Sequence, residues 1–134
     1  MLMTRKELIN FINGIVDGKS KYIETTKHCY AVNANGYRGI AVETLPNVLI
    51  NESFNKINIV NCKIDISEVS KNVIFLYTKE SVLQNQYGLF CLDFIENEDL
   101  IRTDPLKWFN LWKDMIGNVK QDKMVYDFIG ELKI

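Results

Sequence analysis

The pair Asn35-Gly36 stands between two β-favouring runs, Cys29-Tyr-Ala-Val32 and Gly39-Ile-Ala-Val-Glu43. Both residues tolerate the positive φ of a two-residue type I′ turn, so the segment predicts a tight hairpin. Pro46 ends the returning strand or confines it to an edge. With a hairpin fixed there, the neighbouring runs read as its extensions. Tyr22-Ile23 precedes it, and Asn58-Ile-Val60, Lys63-Ile-Asp-Ile66 and Asn72-Val-Ile-Phe-Leu-Tyr77 follow. The centre of the chain is thus expected to be an antiparallel meander of about five or six strands.

Helical patterns flank this block. Thr4-Arg-Lys-Glu7 has the spacing of a capping box, and Leu8, Phe11, Ile12, Ile15 and Val16 recur behind it at helical intervals. A helix over 4–17 is expected, closed by Gly18 in a left-handed conformation. Helix returns at Ser81, with Leu83, Tyr87, Phe90, Cys91, Phe94 and Ile95 on one face and Gly88 carried inside it; Asn97-Glu-Asp99 breaks the pattern. Asp104 then reads as an N-cap with Pro105 at the first helical position, and Gly117-Asn118 as the stop. A last helix is expected around Val125, Phe128, Ile129 and Leu132. Helix, strand block and helix block in succession predict an α+β domain over 1–134, with the C-terminal helices packed on one face of the sheet.

Composition narrows the function. A chain of 134 residues with 47% hydrophobic and 25% charged content suits one globular domain with its own core. The formal net charge is −1, without the basic excess that non-specific nucleic-acid binding draws on. Three widely spaced cysteines, Cys29, Cys62 and Cys91, suit free thiols in a reducing cytoplasm better than a disulfide framework or a zinc site. The N-terminus lacks a secretory pattern, and no apolar run is long enough to span a membrane.

Few residues suggest chemistry. His28 is the only histidine, and its neighbour Cys29 points to the opposite side of a strand, so the two cannot act as base and nucleophile. Glu96, Glu98 and Asp99 read as a solvated turn and cap rather than a metal site. Gly36-Tyr-Arg-Gly39 lies in the hairpin, not at a strand-to-helix turn, and no phosphate-loop motif is present. Tyr37-Arg38, beside Tyr30 across the expected hairpin, reads as a cross-strand aromatic pair before a stacking platform. Glu131-Leu-Lys133 matches the E-x-K string of metal-dependent nucleases, but it continues a helical pattern where those sites use a strand. Trp108, Leu111, Trp112, Met115 and Ile116 share one side of a helix, opposite Lys107, Asn110, Lys113 and Asp114. That division predicts a core-facing stripe rather than a binding surface. No catalytic, cofactor-binding or metal-ligating residue is assigned.

Several stretches in order resemble the bacterial PD-(D/E)XK motif proteins, restriction-nuclease-like proteins associated with phage defence. They are Gly36-Tyr-Arg-Gly-Ile-Ala-Val-Glu43, Asn72-Val-Ile-Phe-Leu-Tyr77 with Phe90-Cys-Leu-Asp-Phe94, the Trp108-x-x-x-Trp112 helix ending at Gly117, and Tyr126-Asp-Phe-Ile-Gly-Glu-Leu132. In that family the Gly-Glu-Leu helix opens the nuclease core, and the catalytic Asp and (D/E)-x-K strands come after it. The resemblance therefore implies a non-catalytic N-terminal module, with 119–134 the first helix of a nuclease half. Glu131 would match the helix glutamate that supports the metal site. Such a module would position a protein partner or, through the complete protein, DNA, and a second copy completing the last helix would make a homodimer. The alternative is a self-contained inhibitor or immunity-type protein that binds its target through the aromatic helix.

Overall fold

The computed structural model describes residues 3–54, 56–80 and 87–117. The architecture is α+β, with an N-terminal helix, one antiparallel six-stranded sheet and C-terminal helices. Helix α1 spans Arg5–Asn13, and the strands are β1 (Lys19–Tyr22), β2 (Cys29–Ala34), β3 (Tyr37–Glu43), β4 (Asn51–Phe54), β5 (Ile57–Ile66) and β6 (Val69–Thr78). Helices α2 (Gly88–Glu96), α3 (Glu98–Thr103) and α4 (Pro105–Gly117) follow. No helix among the described residues is long and apolar enough to cross a membrane.

The expected capping box is present at α1. Glu7 N–H donates to Thr4 Oγ1 (3.1 Å), and Thr4 N–H donates back to Glu7 Oε1 (3.0 Å). The helix is shorter than its periodicity suggests: Gly14 caps it, and Gly18, at φ +78, leads into β1 instead. The reason is tertiary. Arg38 and Asn33 donate to the carbonyls of Ile12, Asn13 and Ile15 and hold the chain there in a turn, in which Ile15 N–H bonds to Ile12 rather than continuing the helical i to i−4 pattern. Val16, expected on the buried face, is therefore exposed, while Ile9 joins Leu8 and Ile12 in the core.

The sheet order is β1-β2-β3-β6-β5-β4, two three-stranded meanders joined where β3 pairs with β6. The link from β3 to β4 reaches the far edge by crossing β6 and β5. Thr44 N–H donates to the Asn72 carbonyl (2.9 Å), and Ile50 N–H donates to Asn61 Oδ1 (2.7 Å). The two runs expected at Asn58–Val60 and Lys63–Ile66 are one continuous strand, β5, and β4 is a strand the β-favouring pattern does not mark, its Asn, Glu and Ser being weak strand formers. The Asn35-Gly36 turn forms as expected, at φ +55 and +84. A second two-residue turn joins β5 to β6 through Ser67 and Glu68, at φ +51 and +68.

At the centre of the sheet, β3 and β6 run buried on both faces over Gly39–Val42 and Val73–Leu76. That is why these segments read as continuous apolar runs without alternation. One face packs Ile40, Val42, Ile74 and Leu76 against Leu8 and Ile12 of α1, Phe90 and Phe94 of α2, and Trp108 of α4. The other gathers Val32, Ala41, Ile66, Val73 and Phe75, with Tyr30, Val60 and Tyr77 at their margins, and all of these come from strands. The β3–β6 contact depends on a glycine: a Cβ at Gly39 would lie 1.8 Å from the Leu76 carbonyl oxygen. The helix start expected at Ser81 with Leu83 on its apolar face, the Asn118 of the expected stop and the last helix over 119–134 lie outside the described residues.

Candidate functional site

The tryptophans, the most conspicuous feature of the sequence, meet at a single oxygen. Trp108 Nε1 and Trp112 Nε1 donate to Asp93 Oδ2 at 2.8 and 2.6 Å. One turn of α4 sets the two indoles side by side, and α2 presents the carboxylate between them. Trp108 is 2% exposed and meets Phe94 edge-on (ring centroids 5.5 Å, interplanar angle 84°), while the half-buried Trp112 lies 4.3 Å from the ring of Phe90. Asn97 Nδ2 donates to the other carboxylate oxygen of Asp93 (3.1 Å), which fixes its orientation.

The helix face differs in part from the expected one. Pro105, Trp108 and Phe109 are buried and Trp112 half-buried, an i, i+3, i+4, i+7 pattern, whereas Leu111 is 61% exposed. Met115 is half-buried, and the side chain of Ile116 lies outside the described set. Grouping Leu111 with Trp112 rotates the stripe by one position. Asp93 carries a faint sequence signal, as the one acid inside Leu89-Phe-Cys-Leu-Asp-Phe-Ile95.

The other candidates are likewise held within the fold. Arg38 Nη1 donates to the carbonyls of Ile12 (3.3 Å), Asn13 (3.1 Å) and Ile15 (2.9 Å), where its positive charge meets the negative end of α1. Its neighbour Tyr37 stacks on Tyr77 (5.3 Å, 25°), not beside Tyr30 as the hairpin suggests. Register decides this: Tyr37 pairs with Ala34 and Tyr30 with Ala41, so Tyr30 instead meets Tyr22 across β1 (5.5 Å).

Glu98 does not sit in a solvated turn. It is 9% exposed, and its carboxylate accepts from Lys27 N–H (3.1 Å) and His28 N–H (2.8 Å), closing the β1–β2 connection from α3. Glu96 and Asp99 are exposed as expected, Asp99 pairing loosely with Lys27 at 3.9 Å. Cys29 is fully buried; burial pushes its thiol pKa up, and the Glu98 carboxylate adds to the rise. A thiol held protonated is no nucleophile. Burial likewise pushes the Cys91 thiol up to about 12 and raises that of Cys62.

On the all-strand face, Glu43 Oε1 accepts from Tyr30 Oη (2.8 Å) and Lys71 Nζ (2.7 Å), and Lys71 lies 5.9 Å above the Tyr30 ring. Burial works to raise the Glu43 carboxyl, but the Lys71 and Tyr30 hydrogen bonds outweigh it, leaving its pKa below the ordinary value. Among the described residues, no three His, Cys, Asp or Glu side chains are grouped to hold a metal ion. Glu131 and Lys133 lie outside the described residues. Comparison of the chain with family models, with curated proteins and with solved structures finds no match.

Proposed function

We propose that this chain is a non-catalytic interaction module of a PD-(D/E)XK-like bacterial defence protein, positioning DNA or a partner subunit for a nuclease half. What supports the reading is the way the candidate chemical groups are used. Asp93 is committed to two indoles, Arg38 to the end of α1, Glu98 to two backbone amides, and Cys29 to the core. Among the described residues, no buried side-chain nitrogen or oxygen lacks a hydrogen-bond partner. Groups held in this way rigidify a scaffold and are poorly placed to exchange partners with a substrate. The Trp108-x-x-x-Trp112 helix and the Gly130-Glu-Leu132 string carry the family resemblance. Three free thiols fit a reducing cytoplasm.

The test is a DNA-cleavage assay with Mg²⁺ on the isolated chain, alongside the coding sequence downstream of Ile134. No cleavage is expected, together with a frame that continues into an Asp strand and a (D/E)-x-K strand. Cleavage by this chain alone would overturn the non-catalytic reading. A frame without those strands would remove the nuclease assignment.

A further inference from the structure

The edge of the sheet at β1 combines three features. The first is open backbone. Ile23 N–H donates to the Cys29 carbonyl (2.9 Å), while Cys29 N–H turns to Thr26 Oγ1 (3.1 Å); the Ile23 bond sets the phase of the antiparallel ladder. By alternation Lys21 and Ala31 form the next hydrogen-bonded pair, so Ser20 and Tyr22 turn their N–H and C=O groups away from β2. β1 is an outermost strand, and no hydrogen bond joins those outward groups to another described residue.

The second feature is a groove beside that edge. It has a volume of about 510 Å³ and is lined by Met3, by Phe11 of α1 and by Lys21 to Thr25. A volume of this size falls in the usual range for ligand sites. The half-buried Met3 and Phe11 supply its apolar lining, with Ile23 buried behind.

The third is charge. Lys19 and Lys21 project from the same side of β1 and are exposed, and neither forms an ion pair with a described residue. Lys21 and Glu24 line the groove and Lys19 lies two residues before Lys21 on the strand, so the lysine side of β1 favours carboxylates and Met3 and Phe11 favour an apolar side chain.

We propose that this edge takes up an extended acidic peptide as an added strand. Its backbone pairs with Ser20 and Tyr22, two carboxylates spaced two residues apart face Lys19 and Lys21, and an apolar side chain enters the groove against Phe11. A second copy of this chain is the wrong occupant, because antiparallel pairing of two β1 strands sets lysine against lysine on the same face. The inference does not depend on the nuclease reading and stands or falls separately from it.

The test uses a pool of octapeptides with Thr or Val at odd positions and Asp, Glu, Leu or Phe at even ones. A control pool has Lys and Arg in place of the acids. Backbone amide NMR of the full chain should show shifts at Ser20, Tyr22 and Phe11 with the acidic pool at about 1 mM or below. The basic pool, or the Lys21→Glu variant with the acidic pool, should bind about tenfold more weakly. Ser20→Pro removes an outward donor at an edge position that tolerates proline, and should abolish the shifts. No shift with the acidic pool, shifts that persist in Ser20→Pro, or equal binding of the two pools would each overturn the proposal. If Ser20→Pro fails to fold, the charge comparison decides.

Discussion

Replacing Asp93 by Ala removes the one acceptor shared by both indoles. The Trp108 N–H is buried with its ring, so after truncation it has neither the carboxylate nor ready access to water. Trp112 is half-buried and can recover a water in part. A hydrogen bond to a charged group contributes about 1.5–3 kcal/mol, and a stranded buried donor costs about 1–3 kcal/mol. Allowing for the partial rescue of Trp112, Asp93→Ala should lose about 2–4 kcal/mol of stability. Asp93→Asn keeps the shape and one acceptor oxygen and gives up the charge, so its loss should be about half as large. Urea unfolding followed by tryptophan fluorescence measures both, since the only two tryptophans of the chain report on this contact. A double-mutant cycle of Asp93→Ala with Trp112→Phe should give a coupling of about 1 kcal/mol. An Asp93→Ala protein within about 0.5 kcal/mol of the native one would refute the argument.

Gly39→Ala drives a methyl group into the Leu76 carbonyl and should cost more than about 3 kcal/mol by the same unfolding measurement; a loss below about 1 kcal/mol would contradict the β3–β6 register. Ser67→Asn with Glu68→Gly supplies the residues that positive φ favours at the β5–β6 turn, and should raise stability by about 1–2 kcal/mol, read as a higher thermal midpoint. Because the Glu43 carboxyl titrates below its ordinary value in the folded chain, it contributes stability above the unfolded pKa that is lost as pH falls through the folded one. Glu43→Gln should therefore flatten the decline of stability on the acid side of the ordinary carboxylate value, measured as unfolding midpoints across a pH series; an unchanged slope would show that the Lys71 and Tyr30 contacts carry no such linkage.

The parts of this fold that are legible in the sequence are those whose partners lie close along the chain. The Thr4–Glu7 capping box spans three residues, and the Asn35-Gly36 turn needs only backbone freedom. The apolar runs of β3 and β6 mark strands buried on both faces. The paired indoles on α4 announce a core-facing helix. What failed is equally specific. The periodicity of α1 continues past Gly14, but the helix does not, because Arg38 is folded over its end from 25 residues away. Leu111 looks like part of the tryptophan stripe and is exposed, because the position of α2 sets which side of α4 is covered.

The sequence by itself therefore determined the class of fold, the Thr4–Glu7 cap, the Asn35-Gly36 turn and most of the segments able to be strands or helices, β4 excepted, since short-range sterics and local hydrogen bonds decide these. Only the tertiary structure decided the strand order, with β3 beside β6, and the work assigned to each polar side chain. Asp93 and Trp108 are 15 residues apart, and Glu98 and His28 are 70. No local propensity links such pairs. They meet because burying the two faces of one sheet brings them together, and once buried each polar group needs a partner within reach.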